Sequence, residues 1–428
     1  MFALNIYCKR IIKAFKFLFF MKAQVIGGQF GKVLVRQKQG MDLEIGEILV
    51  VDNKSNRMFL QVCDLLYGSQ VSQQNIELAS GLDMEENSGL EFLEPHMRNY
   101  NLALLKNLFT VSNNNASASK CLPEFFAKVR EVKEEDLRFL TTPQNPLFVG
   151  KLRSGSKVLD FDINLDGEKA LAEHVLISAS TGKGKSNLVK VMLWNLVDKD
   201  YCGCLVLDPH DEYYGRNGFG LKDHEKSSSV VYYSCQNVPA GCKSLKINLR
   251  CVTPQHFNGV VNWSDPQRQA LFYFFKKYGK DWIAAIAKNV DPNESLFQEA
   301  TVNVVRRTLW NLLDLTIIDG KVVSKGVFDE VSGESTVREI VRELEEGKTV
   351  IVDTSSFSGE LEILIGSLIL SDLFTSYRKH KLQGSLKDKP VVTVVLEEAQ
   401  GCLGERCWKL AVIFLAQLLV KAESLKLF

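Results

Sequence analysis

Residues 174–197 read HVLISASTGKGKSNLVKVMLWNLV, and the order of the parts decides the fold. Val175–Ile177 is a short apolar run, Ala179–Ser186 is a turn rich in glycine and lysine, and NLVKVMLWNLV has the texture of a helix. Strand, tight loop and helix in this order form the context in which G-x-x-x-x-G-K-[ST] cradles phosphate. The motif is met except that Ala179 stands at the first glycine. Gly182 and Gly184 supply the tight turn. The helix beginning near Lys185 aims free N–H groups and the positive end of its dipole at an anion. Lys185 supplies a point charge for β- and γ-phosphates, and Ser186 a hydroxyl for Mg²⁺. Ser180, Thr181, Lys183 and Asn187 complete the expected phosphate loop.

Working outward, HVLIS, CLVLD, VVYYS, KTVIVD and VVTVVL are short, nearly continuous apolar runs separated by helical stretches. Such runs suit strands buried on both faces of a parallel sheet. Thr336 and Glu339 are placed as a capping box, with Gly347 ending that helix. LEILIGSLILSDLFTSYRKHK reads as a long helix, and 265–313 as an inserted helical pair begun by Asp265-Pro266. Upstream the texture changes. From Met21 to about Gln70, β-branched runs recur between Gly, Asn and Asp, the rhythm of a small barrel or sandwich. ASGLDMEENSG and VSNNNASASK read as exposed loops, Pro123 to Leu140 as a helix, and PLFVGKL with KVLDFDINL as a strand pair. The expected class is therefore α/β: a P-loop NTPase with a mostly parallel sheet and an inserted helical subdomain, behind a small β-barrel. The expected boundaries are 21–166 for the barrel and 167–428 for the ATPase domain, with the insertion at about 255–345.

A phosphate loop needs a carboxylate beside the metal and a base for water. VVTVVLEEAQ ends a buried run in Glu397 and Glu398. In open α/β sheets ligands bind outside the carboxyl ends of the strands, so the pair should emerge on the edge that carries the phosphate loop. Glu397 is expected to assist Mg²⁺ through water, and Glu398 to polarise the attacking water. Asp208, His210, Asp211 and Glu212 follow CLVL and are expected on the same edge, either arranging the site or capping a turn.

The remaining signals bound the function. The 428 residues exceed one ordinary domain, and a net charge of +1 means that any nucleic-acid surface is local. The ten cysteines show no C-x-x-C spacing, so reduced, mostly buried thiols in a cytoplasmic protein are expected. Residues 1–20 are apolar but interrupted by Lys9, Arg10, Lys13 and Lys16. They lack the run of roughly 18 residues needed to span a bilayer. They read as an extension outside the fold, with a basic amphipathic membrane helix as the alternative. Arg378 to Lys389 is the densest basic loop, a solvated turn or a DNA contact.

HVLISASTGKGKSN, VLDPHDEY, LEEGKTVIVDTSSFS and VVTVVLEEAQGCLGER, in this order, resemble the archaeal-type HerA-like branch of the hexameric DNA-pumping ATPases. QFGKVLV and LEIGEILVV resemble that family's HAS-barrel domain, and the likeness runs over about residues 21–405. The resemblance implies a RecA-like ATPase domain in a homo-hexamer that hydrolyses ATP with Mg²⁺ and moves double-stranded DNA in DNA end processing. It also implies a NurA-type nuclease partner. By motif position Lys185, Ser186, Glu397 and Glu398 take the phosphate, magnesium and water-activating roles. Gln400 stands where the family often has His. After Glu398 the residues depart from the family pattern, which reads as a chain cut short at the C-terminus. That predicts a sheet lacking a strand, weakened nucleotide binding and poor ring-dependent hydrolysis. The alternatives are a catalytically impaired nucleotide-binding fragment, or a same-fold ATPase pumping another substrate.

Overall fold

The computed structural model describes residues 21–53, 56–86, 99–290, 297–324 and 326–397. The chain divides into two compact units, one of residues 1–142 and 150–163, the other of 143–149 and 164–428.

In the first unit β1 (Met21–Gln29), β2 (Lys32–Gln37), β3 (Ile48–Asp52), β4 (Asn56–Ser69), β5 (Asn99–Ser112), β6 (Asn115–Ala118) and β7 (Lys128–Glu131) form one sheet. It runs β2-β1-β7-β3-β4-β5 and closes because β2 also pairs with β5, with β6 added outside β5. A closed six-stranded barrel leaves those strands no open edge. Alternate residues of each strand point inward, and Val25, Val35, Leu49, Leu60, Leu105 and Val129 fill the interior. Arg130 pairs with Asp52 at 2.6 Å and with Asp136 at 2.6 Å, and Arg57 reaches the same Asp136 at 3.2 Å.

Three local expectations fail in this unit. Pro123 to Leu140 is not a helix: it holds β7 and a single 3₁₀ turn, Glu134–Leu137. Long-range pairing overrides local propensity there, because β7 bridges β1 and β3. ASGLDMEE is not a loop but the second half of α1 (Gln73–Glu86), where Glu, Gln, Leu, Ala and Met outweigh one glycine. VSNNNASASK is a hairpin of β5 and β6. Asn113 and Asn114 turn it at φ 48° and 64°, the left-handed pair that a tight primed turn demands. The strands β8 (Pro146–Ser154) and β9 (Lys157–Asp166) pair with each other.

In the second unit, α2 (Gly167–Leu171) and α3 (Lys185–Leu196) precede β10 (Cys202–Asp208) and β11 (Val230–Ser234). The short strands β12 (Lys243–Ser244) and β13 (Ile247–Asn248) follow. Then come α4 (Asp265–Tyr278), α5 (Trp282–Ala287) and α6 (Glu299–Leu313), three helices where a pair was expected. The hairpin β14 (Leu315–Ile318)–β15 (Lys321–Ser324) leads to β16 (Phe328–Asp329), α7 (Thr336–Glu345) and β17 (Thr349–Asp353). Last are α8 (Gly359–Gln383) and β18 (Val391–Leu396). The helix cap of α7 is Ser335, whose hydroxyl meets Glu339 at 2.6 Å, rather than Thr336. The sheet runs β12-β11-β17-β10-β18, and every pairing in it is parallel.

The strand expected at Val175–Ile177 does not form. A strand needs a neighbour for its backbone groups, and β18 pairs with β10 on one side and with no described residue on the other. Val175 and Leu176 are 54% and 89% exposed as a result. Among the described cysteines, Cys202 and Cys204 are buried, Cys235, Cys242 and Cys251 half-buried, and Cys63 and Cys121 exposed. Burial is thus less general than expected, and it follows the interior strand β10. No described helix is long and apolar enough to cross a membrane, and residues 1–20 lie outside the described residues.

Candidate functional site

The expected phosphate loop, Ala179–Asn187, is held by backbone conformation. Gly182 and Gly184 sit at φ 77° and 90°, in the left-handed region that a side chain resists. Nothing lies within 4 Å of where a Cβ would stand on either. The glycines are therefore required by dihedral angle, and the space above them is open to a ligand. The Lys183 N–H donates to the Ser180 carbonyl at 3.1 Å, closing the turn. Gly184 then caps α3, whose first residue is Lys185. Ala179, Ser180, Thr181, Gly182, Lys183, Gly184 and Asn187 are exposed, while Lys185 and Ser186 are half-buried.

The second half of the site arrives from the far end of the chain. β18 lies in parallel register with β10, from Cys202↔Val391 to Leu207↔Leu396, so both strands deliver their last residues to one edge. Glu397, the residue after β18, is 6% exposed. Its Oε2 lies 3.7 Å from the Lys185 ammonium, and its Oε1 accepts a hydrogen bond from the Tyr213 hydroxyl. Burial, and then the neighbouring carboxylate, push the Tyr213 phenol far above its ordinary range, so it stays a neutral donor. Glu398 and Gln400 lie outside the described residues.

Between these halves runs the loop after β10. Asp208 is fully buried, and its carboxylate accepts from the N–H groups of His210, Glu212 and Tyr213 at 3.3, 3.1 and 3.0 Å. Burial raises its pKa and these three bonds only partly counter that. Asp208 is thus a turn cap. Glu212 meets Lys190 of α3 at 3.2 Å, on the solvent side. Asp211 turns inward, to a cluster that the sequence reading missed. Arg216 lies 3.1 Å from Asp211 and 2.7 Å from Asp353, at the end of β17. Ser234 and Ser355 donate to Asp353 at 2.8 and 2.6 Å, and the Tyr232 hydroxyl lies 2.7 Å from Asp211. Burial pushes the Asp353 carboxyl up, but the hydrogen bonds from Ser355, Ser234 and Tyr232 outweigh it and hold it below the usual range. The one sequence signal was that KTVIVD, like CLVLD, ends a buried run in Asp.

A cavity of about 700 Å³ opens beside these groups, with Ser180, Thr181, Lys185 and Glu397 among its lining. A half-buried lysine, a serine hydroxyl, one nearly buried carboxylate and an open glycine turn suit a magnesium-bound phosphate chain. Mg²⁺ is usually held by one or two carboxylates, water and the substrate's own phosphates. The basic stretch 378–389 is elsewhere. Arg378–Gln383 is the last part of α8, not a loop, and Lys389 pairs with Glu345 at 2.9 Å. It leads into the first residue of β18, the opposite edge of the sheet from Glu397.

Known proteins resemble this chain. The family model described as Helicase HerA, central domain, matches residues 147–373, more than half of the chain. The DNA double-strand break repair helicase HerA of Sulfurisphaera tokodaii is 25% identical over 287 residues, covering 65% of this chain and 52% of that protein. An uncharacterized protein of Aquifex aeolicus is 33% identical over 70 residues, 16% of this chain and 24% of its own length. The match thus spans about half of the first relative and a quarter of the second. The chain belongs to the HerA helicase family through its central domain, a P-loop NTPase family.

Proposed function

We propose that this chain is an ATP-hydrolysing motor acting on double-stranded DNA in end processing, with Ala179–Asn187 as its phosphate loop. The single observation that carries the reading is the meeting of Lys185 and Glu397 at 3.7 Å, across 212 positions of sequence. Lys185 neutralises β- and γ-phosphates, and the first turn of α3 directs its N–H groups at them. Ser186 and Glu397 would hold Mg²⁺, Glu397 through a water molecule, and the ion would neutralise charge developing on the phosphates. Glu398 orients and deprotonates the attacking water. The family relationship supports a homo-hexamer, a NurA-type nuclease partner and action in the cytoplasm. It also supports reading residues 21–166 as a HAS-barrel-like domain before a RecA-like ATPase domain.

The test is ATP binding and turnover by the full chain, with and without duplex DNA. Lys185→Ala should lose binding, and Glu398→Gln should bind but barely turn over. Duplex DNA should raise the rate. Turnover that survives Lys185→Ala would refute the reading. A second reading, a nucleotide-binding protein impaired in hydrolysis, is favoured by the missing strand at Val175–Ile177, just before the phosphate loop. It predicts binding by the unmodified chain without turnover.

A further inference from the structure

The loop from Asp208 to Arg216 touches three neighbouring strand tips. Asp208 is the last residue of β10, Arg216 is ion-paired with Asp353 at the end of β17, and Tyr213 donates to Glu397 beyond β18. The sheet order is β17-β10-β18, so one short segment bridges consecutive strands on the edge that carries the phosphate loop. The loop is itself rigid: Asp208 fixes the Tyr213 N–H at 3.0 Å, and Asp211 at φ 52° turns the chain back toward Arg216. Tyr213 is 1% exposed and Glu397 6%. A buried carboxylate has few donors to choose from, and here the phenol takes one oxygen while the other faces Lys185.

We infer that Tyr213 is a positioning residue, whose hydroxyl aims the Glu397 carboxylate at magnesium-bound nucleotide, and that the 208–216 loop supports it from β17. This rests on the reading of Lys185 and Glu397 given above. Once Lys185 turns to phosphate, Tyr213 is, among the described residues, the donor that still fixes Glu397. Groups that orient metal ligands typically contribute ten- to a hundredfold in metal affinity. A buried tyrosine that merely satisfies its hydroxyl would instead matter equally with and without magnesium.

The experiment is titration of the full-length protein with a fluorescent ATP analogue, in Mg²⁺ and in EDTA. The proteins compared are the unmodified chain, Tyr213→Phe, Glu397→Gln and the double variant. Tyr213→Phe keeps the ring, and a thermal melt checks folding first. The expected result is about a tenfold loss of affinity or more in Mg²⁺, and less than twofold in EDTA. The double variant should match Glu397→Gln alone, because Tyr213 acts through that carboxylate. Arg216→Lys, which loosens the far end of the loop, should give a smaller loss of the same magnesium-specific kind. It carries the test should Tyr213→Phe fail to fold. Equal losses in both buffers, an unchanged Mg²⁺ titration, or full additivity with Glu397→Gln would overturn the inference. An unmodified chain that binds no magnesium nucleotide overturns the functional reading, and this inference with it. Binding by that chain with unaltered Tyr213→Phe overturns this inference alone.

Discussion

At Gly203 the sheet packs tightly against the backbone of α7, and Gly203→Ala is the perturbation that tests how tightly the site's scaffold is set. A Cβ on Gly203 would stand 2.2 Å from the Leu344 carbonyl oxygen, 3.0 Å from its carbon and 3.2 Å from its Cα. All three are backbone atoms, so no rotamer change relieves the clash. Either β10 or the last turn of α7 must move by about 1 Å to restore ordinary contact. Neither can move alone. β10 is paired on both sides, with β17 and β18, and α7 runs into Gly347 at φ 77°, itself packed on Asp200. Overpacking of this kind costs about 1–3 kcal/mol, and two fixed backbones place it at the upper end. Restricting the unfolded chain returns about 0.4–1 kcal/mol, leaving a loss of about 2 kcal/mol. With a urea slope of about 3 kcal/mol/M, the midpoint should fall by roughly 0.7 M. The assay is urea unfolding followed by tryptophan fluorescence, since all four described tryptophans lie in this unit. A midpoint within 0.2 M of the unmodified protein, on the order of 0.5 kcal/mol or less, would refute the reasoning.

Asp136 is held below the usual carboxylate range: burial pushes its carboxyl up, and bonds from Arg130, Lys133 and Arg57 outweigh this. A depressed folded pKa means stability present above the unfolded value, near 3.9, and lost as pH falls below it. Barrel stability should therefore drop on acidification below about pH 4, and Asp136→Asn should flatten that drop in urea midpoints measured against pH. Burial alone pushes His256 down to about 4, so its imidazole resonance should titrate near there in an NMR pH series. Because the folded state resists protonation, stability of its unit should fall as pH drops from 6.5 toward 4. A midpoint near 6.5 for that resonance would contradict the burial. Glu397→Gln should weaken nucleotide binding in Mg²⁺ yet strengthen it in EDTA, read from the same fluorescent titrations. Weakening in both buffers would count against the charge argument.

The elements legible in the sequence were those whose signal is local. The runs at β10, β11, β17 and β18 are apolar on both faces, and only a covered parallel sheet accepts them. The glycine turn was legible because φ near +80° has few other solutions. What failed was decided at long range. β7 looks helical until β1 and β3 are on either side of it, and Val175–Ile177 has strand composition without a strand partner. Arg216 and Asp353 are 137 positions apart, and Tyr213 and Glu397 are 184 apart. No spacing rule reaches across such intervals. Only the sheet order, which places β17, β10 and β18 side by side, brings their tips together.

The resting contact between Lys185 and Glu397 is best understood by asking what would displace it. At 3.7 Å and an effective dielectric near 20, the pair attracts by about 4 kcal/mol before desolvation is subtracted. Lys185 keeps a third of its side chain in solvent, so the net is smaller. A triphosphate carries several negative charges at comparable distance and outweighs one carboxylate for the same ammonium. Yet Glu397 is nearly buried, and a carboxylate stripped of its cation beside phosphate is costly. On the proposed reading, nucleotide arriving without a divalent cation would gain Lys185 but strand Glu397. Nucleotide arriving as the magnesium complex would replace one cation at Glu397 by another. On the proposed reading the ion pair would act as a selector for the complex over the free anion, and removing the carboxylate's charge should erase that selection from the free-anion side.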